Sequence, residues 1–272
     1  MDGWPPSWDG HLVLVHHNEQ QRRTGVAAWA RRGLELGAKL LYIEAPEEPV
    51  ERSFTTVLDE HGLDAAGAAG DGQLEVFPAD DSHYSPTWQA SVVDDTLADG
   101  YPAVFWSGEA FTAWDVMPPS THAAIEWTTD ELCRERPVSV LCQYPGALAQ
   151  ATLQTVLAQH GAGMREALLH TSRIPYGIAL AGEVDRSNER LLRAALGAAA
   201  ATAAPDGGTF VIDLRHVGFL DVAGARALLT GTTNHRLGGG AVHLQAAQRH
   251  VERVLRLLDV HRADGFSMEE AS

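Results

Sequence analysis

The chain has 272 residues, 45% of them apolar, enough for one large domain or two of ordinary size with a substantial core. Its formal net charge of −16 argues against nucleic acid as a partner, because phosphate binding needs clustered Lys and Arg. No apolar run approaches the ~18 residues of a membrane span, and MDGWPPSWDG lacks the basic start and apolar stretch of a secretory signal.

In chain order, HLVLVHH (11–17) reads as a buried strand, and RTGVAAWARRGLELG (23–37) carries helical spacing through Val26, Trp29, Ala30 and Gly33. KLLYIEA (39–45) is a second strand and VERSFTTVLDEHG (50–62) a second helix, followed by a turn-rich loop GAAGDG (67–72). QLEVFPA (73–79) is a third strand, TWQASVVDDTLADG (87–100) a helix and PAVFWSG (102–108) a fourth strand. Helix over 120–135, strand PVSVLCQYP (137–145) and helix ALAQATLQTVLAQHG (147–161) complete an α/β layer with a mostly parallel sheet. HGAGM then interrupts the pattern. Beyond it a smaller α/β unit follows: strands 168–174, 177–184, 209–214 and 241–247, and helices 185–204, 222–237 and 248–258. The tail after Arg262, ADGFSMEEAS, reads as frayed. The domain bounds are 10–163 and 168–262.

The two halves differ in charge. Residues 1–170 hold 9 Lys+Arg against 25 Asp+Glu, while residues 171–272 hold 11 of each, and all seven Trp precede residue 128. Such asymmetry marks two units with different tasks. Cys133 and Cys142 stand in no disulfide or zinc pattern, so a reducing cytoplasm is the expected setting and no membrane is a partner.

The loop after the first strand, HHNEQQRRTG, has neither the glycines nor the lysine of a phosphate-binding loop, and G-x-G-x-x-G is absent at each strand–helix junction. Ser107 stands in WSGEA rather than a G-x-S-x-G elbow. No catalytic triad, HExxH or paired-carboxylate signature is present. The chain reads as a non-enzyme with no catalytic residue, no cofactor and no bound metal, although His16, His17 and Cys142 are the residues a metal or haem would use.

In open parallel sheets ligands collect beyond the carboxyl ends of the strands. The candidates for small-molecule sensing there are His16, His17, Trp106, Glu109, Glu126, Cys142 and Tyr144. Each has a plainer reading: Cys142 as a buried small hydrophobe, Glu126 with Trp127 as helix-capping residues. His160 ends a helix, where the dipole favours an imidazolium. His11 is set apart from His17 by about 20 Å of strand.

In the second unit GIALAGEVDRSNERLL (177–192), TFVIDLRHVGFLDVAGARALL (209–229) and AVHLQAAQRHVERVLRLLDV (241–260) resemble the STAS domain, the family of anti-sigma factor antagonists. The resemblance implies partner binding through Asp185, Ser187, Asp221, Val222, Ala223 and Gly224. It also implies that Val222 occupies the place of the phosphorylatable Ser or Thr. A hydroxyl at a helix start has free amides beside it to hold a phosphate; Val222 has none. Ser187, Thr230, Thr232 and Thr233 are the other acceptors on offer. Asp185, Asp213 and Asp221 also suit turn and cap roles.

The first unit is similar to the MEDS sensory domain through GHLVLVHHNEQQ, GLELGAKLLYI, DGQLEVFPA, VSVLCQYP and the TVLAQH helix. That family is linked to sensing of small hydrocarbon-type molecules. Its motif positions fall on His11, Gly72, Gln73, Leu74, Glu126, Cys142, Gln143, Tyr144 and His160. Pro145 stands where the family has an acidic residue, and its Gly-Asp and Trp correspond to Gly108, Glu109 and Trp114. The resemblance implies a RecA-like sheet without a working phosphate loop. The expected protein is a signalling regulator whose front domain senses a small molecule or protein state and whose STAS domain binds an anti-sigma factor or kinase-like protein. The other reading is a STAS scaffold without ligand sensing, self-associating through its neutral half.

Overall fold

The computed structural model of the chain describes residues 8–204 and 207–269. The stretch MDGWPPS and the last three residues of the tail lie outside the described residues. The rest falls into two compact units, 8–146 with 159–162, and 147–158 with 163 onward.

The first unit runs β1 (Gly10–His16), α1 (Glu19–Glu35), β2 (Lys39–Glu44), α2 (Phe54–Glu60), α3 (Ala65–Gly70), β3 (Leu74–Pro78), α4 (Pro86–Ala98), β4 (Val104–Glu109), α5 (Ala110–Val116), α6 (Pro119–Glu135) and β5 (Val138–Pro145). Its strands pair in parallel in the order β1-β5-β4-β2-β3. Near-continuous burial along β1, β2, β4 and β5 is what a parallel sheet covered on both faces requires. Alternation then sorts the side chains. Leu12, Leu14, Leu40, Tyr42, Phe105 and Leu141 pack with Val26, Trp29 and Ala30 of α1 and Phe54 and Leu58 of α2. On the opposite face Leu41, Ile43, Val104, Trp106, Val138 and Val140 pack with Val93, Ala113, Ile125 and Leu132 of α4, α5 and α6. Burying a side chain of this size stabilises the fold by about 1.5–3 kcal/mol. Gly33 lets α1 lie close to the sheet, since a Cβ there would meet Leu40 Cδ2 at 2.6 Å and Phe105 Cδ1 at 2.8 Å.

Caps decide the helix bounds. The Asn18 side chain accepts from Gln21 N–H, starting α1 at Glu19 rather than at 23. Asp64 likewise accepts from Gly67 N–H, so residues expected to be loop, GAAGDG, lie largely in a helix. Its glycines argue for a loop, but a good cap and four alanines outweigh them. Helix α5 was not expected; it follows β4 without a turn signal. The segment expected as one helix over 50–62 begins instead with a short 3₁₀ turn, Val50–Arg52, and Ser53 caps α2.

The second unit comprises α7 (Gln150–Gln159, all but its last residue), β6 (Gly163–Arg165), β7 (Leu169–Ile174), β8 (Gly177–Val184), α8 (Glu189–Ala203), β9 (Thr209–Leu220), α9 (Val222–Gly231), α10 (Thr233–Leu237), β10 (Ala241–Gln245), α11 (Arg249–Leu257) and β11 (Phe266–Met268). The strand order is β6-β7-β8-β9-β10-β11, antiparallel through β8 and parallel beyond it. Helix α7 is tied to α8: Arg193 Nη2 donates to Gln150 Oε1 at 3.2 Å, and Arg190 Nη1 donates to the Leu148 carbonyl at 2.6 Å.

Three expectations change here. The helix over 222–237 breaks at Thr232, whose hydroxyl donates back to the Leu228 carbonyl. Strand β9 continues six residues past Leu214, to Leu220. The tail is not frayed over its described part: Phe266–Met268 pairs with Val242–Leu244, and Phe266 lies under the Arg236 guanidinium. No helix is long and apolar enough to cross a membrane among the described residues.

Candidate functional site

The site begins with strand alternation. His11, Val13 and Val15 of β1 project to the α6 face, as do Val140, Cys142 and Tyr144 of β5, and the two strands align His11 with Val140 and Val13 with Cys142. Above them α6 carries His122, Glu126 and Asp130 four residues apart, hence on one face of the helix. His160 enters immediately beyond α7.

These side chains converge on the Glu126 carboxylate. His11 Nε2 lies 2.9 Å from Glu126 Oε2, His160 Nε2 3.6 Å from the same oxygen, and Cys142 Sγ 3.5 Å from it. Cys142 Sγ is also 3.5 Å from His11 Nε2, and the His11 and His160 rings stack at 4.1 Å. The other oxygen, Oε1, accepts from the Tyr144 hydroxyl at 2.9 Å and lies 3.3 Å from His122 Nε2. His11 Nδ1 faces the Gln159 carbonyl at 3.2 Å and Asp130 Oδ1 at 3.7 Å. Asp130 is fixed in turn by the Gly161 N–H at 2.8 Å. His11, Glu126 and His160 are each no more than 2% exposed.

Burial in such a place opposes charge, and the neighbours decide the outcome. Desolvation pushes His11 down, but Asp130 and Glu126 outweigh it and hold the imidazole at about 9. Desolvation pushes Glu126 up, yet His160, His11 and His122 hold it far below the usual carboxylate range. Burial, then the Glu126 charge, raises the Cys142 thiol and the Tyr144 phenol well above their ordinary values. His122 is lowered by burial. The cluster is therefore a buried ion pair of His11 and Glu126, with a neutral thiol and phenol as hydrogen-bond donors.

A cavity of about 40 Å³ adjoins this cluster, lined by Cys142, Glu126 and His122 together with Ile43, Tyr84, Trp106, Ile125 and Val140. Glu109, Gly108, Gln89, Ala110 and Thr129 also line it. That volume holds a few water-sized groups and is far below the ~300 Å³ of a drug-sized pocket.

Of the expected sensing residues, Trp106, Glu109, Glu126 and Cys142 come together at this cavity, and Tyr144 stands behind Glu126. His16 and His17 do not join them. They lie at the carboxyl end of β1, beside Pro145 and Gly146, three and more residues along the strand from the level of Cys142. That register does not bring His16 and His17 beside Cys142 as ligands of one metal ion. His160 is more than a helix terminus, since it packs on His11 and Glu126. His122, Asp130 and Tyr84 were missed, although the HAAIEWTTD spacing of four and four was visible on a helix.

The opposite face of the sheet carries a second polar group. The buried Arg22 guanidinium donates to Glu19 at 2.6 Å and to Gln143 Oε1 at 3.1 Å, and its Nη1 lies 3.2 Å from Glu109 Oε1. Gln143 in turn donates to Ser107 Oγ at 2.9 Å, and the fully buried Ser107 donates to the Leu141 carbonyl. Ser107 is thus spent on a structural bond. Arg22 fills the ground beyond the strand ends where a phosphate loop would otherwise work.

In the second unit Asp221 caps α9, its carboxylate accepting from Gly224 N–H at 2.8 Å. Val222 is 65% exposed and Phe219 47% exposed. Gly224 is required by packing: a Cβ there would meet Leu220 Cδ1 and Val184 Cγ1, each at 2.7 Å. Asp185 closes an Asx turn, accepting from Ser187 N–H at 2.7 Å and from its hydroxyl. Ala223 is half-buried, Ser187 and Thr230 are exposed, Thr233 is half-buried, and Thr232 is sealed from any kinase.

Two family models divide the chain after residue 161, so that residues 147–158, which pack with the second compact unit, fall within the first match. The family model "MEDS: MEthanogen/methylotroph, DcmR Sensory domain" matches residues 10–161. The model "Mlab, STAS domain" matches residues 167–268. Among solved structures the chain is similar to the anti-sigma factor antagonist SpoIIAA in its unphosphorylated form, at 15% identity and a TM-score of 0.31, over 38% of this chain and 88% of that one. No curated protein matches the chain. The chain belongs to the MEDS family, and it carries a STAS domain behind the MEDS domain.

Proposed function

We propose that this MEDS–STAS chain is a signalling regulator whose front unit takes up a small molecule and whose STAS unit docks on an anti-sigma factor or kinase-like protein. The observation that carries the reading is the cavity of about 40 Å³ beside Glu126 and Cys142. Its lining combines polar groups (Glu126, His122, Gln89) with apolar and aromatic ones (Tyr84, Trp106, Ile43, Ile125) around space for a molecule of a few heavy atoms. A small alcohol or halogenated hydrocarbon would suit this mixed lining, whereas a nucleotide would not fit.

The STAS side supports a docking surface without its own covalent switch. Val222 projects from the first turn of α9 at the position where the family bears a hydroxyl, and it cannot accept a phosphate. Control then falls to the front unit. A ligand that binds one arrangement of the chain better than another shifts partner binding by that difference, typically ~1–3 kcal/mol. No chemical reaction is called for.

The test uses the full-length protein as bait in lysate of its native host, alongside a Val222→Asp variant. Recovery of a kinase-fold protein by wild type, and its loss with Val222→Asp, supports the reading. Recovery only of further copies or other STAS proteins by both baits favours a scaffold instead.

A further inference from the structure

The geometry points to a transition-metal site in the front unit, with zinc its best occupant and His11, Glu126, Cys142 and His160 its ligands. These four side chains come from β1, α6, β5 and the segment after α7, yet one donor atom from each lies within 4.8 Å of every other. The distances measured among them, 2.9 Å for His11–Glu126, 3.5 Å for Cys142 to each of these, and 3.6 Å for His160–Glu126, cluster near one value. A tetrahedral zinc with bonds of about 2.0–2.3 Å sets its donor atoms roughly 3.3–3.8 Å apart. The 2.9 Å pair must open slightly, and His160, within 4.8 Å of the other donors, must settle against them.

The donor types agree with the spacing. Two imidazoles, a thiolate and a carboxylate form a mixed set that suits zinc far better than magnesium or calcium. The surroundings also have the form of a ligand-orienting shell. His11 turns its remaining nitrogen to the Gln159 carbonyl and Asp130, leaving Nε2 aimed at the centre. Glu126 offers Oε2 alone, because Oε1 is engaged by Tyr144 and lies against His122. Without an ion, protons on His11 and Cys142 bridge these atoms to Glu126. A cation at the centre would replace those protons and draw on all four donor atoms together. Because Cys142 and Glu126 also wall the cavity, the metal would stand at its edge. The assignment does not rest on the sensory reading, since metal uptake is measured without any small molecule.

The experiment takes full-length protein purified without metal-affinity resin, stripped with a chelator and reloaded with zinc or cobalt(II). About one zinc should remain per chain after gel filtration, and cobalt should give a sulfur-to-metal charge-transfer band. Cys142→Ser should abolish that band while Cys133→Ser keeps it. Asp130→Asn, which spares all four ligands, should weaken zinc binding about tenfold or more. The assignment is overturned if folded wild-type protein, verified by circular dichroism, retains no zinc. An unchanged cobalt band in Cys142→Ser, or unchanged zinc affinity in both Asp130→Asn and His160→Gln, overturns it equally.

Discussion

His11 Nε2 and Glu126 Oε2 meet at 2.9 Å with neither side chain open to solvent. A buried pair of this kind contributes little net stability while intact, but losing one member strands a charge in the core. Glu126→Gln in chelator-treated protein should therefore cost about 3–5 kcal/mol, read as a lower midpoint in urea unfolding. A loss below about 1 kcal/mol, the range of an exposed pair, would show that water reaches the cluster.

Arg22 is the corresponding anchor on the other face. Arg22→Met should cost about 1–3 kcal/mol, since it leaves the buried Gln143 Oε1 without its donor while Arg52 still faces Glu109 at 3.2 Å. Arg22→Lys should recover only part of this, because one ammonium cannot reproduce the guanidinium fork. Because Arg22 fills the strand ends, Mg·ATP should leave Tm unchanged, and a rise in Tm with nucleotide would refute that occupancy.

At the start of α9, stability and recognition should separate. Asp221→Ala removes the cap and should cost about 1 kcal/mol, and Gly224→Ala forces a clash and should cost about 1–3 kcal/mol. Val222→Asp should change stability by less than about 0.5 kcal/mol yet abolish partner binding. Thermal melts beside a binding assay distinguish these; equal losses of stability in all three would deny Val222 a docking role.

The pH dependence follows from buried histidines. Burial, aided by Arg165, lowers His170 from 6.5 to about 4, and burial with Arg22 lowers His16 to about 4. In both, the folded state resists a proton that the unfolded chain accepts. Stability from these groups is thus complete above pH 6.5 and declines as pH falls from 6.5 towards 4. His170→Gln should flatten that decline by about 2–3 kcal/mol in denaturation series across this window. An unaltered slope would mean His170 is protonated in the fold.

Much of the architecture was legible in the residues. Continuous apolar runs such as HLVLVHH and SVLCQYP marked doubly covered strands, and the missing lysine and glycines excluded a phosphate loop. Asp221 read correctly as a cap. The errors arose where a local signal was outvoted. Asp64 made a helix of a glycine-rich run, and partnering with β10 ordered a tail that looks featureless alone. From spacing alone the cluster was only half visible. Glu126 and Cys142 stood out as strand-end candidates, and His122-x3-Glu126-x3-Asp130 stood on one helical face, while His11 and His160 entered only as positions implied by the family resemblance. That His11 and His160 join them depends on β1 lying beside β5, a pairing no local spacing encodes.

The most direct test of the central claim is hydrogen–deuterium exchange on the full-length protein with and without a saturating short-chain alcohol or halomethane. The account predicts slower exchange around Glu126 in α6 and Cys142 in β5, together with altered exchange at Asp221–Gly224. Protection confined to the front unit, or no change in either, would contradict a small-molecule signal that reaches the STAS surface.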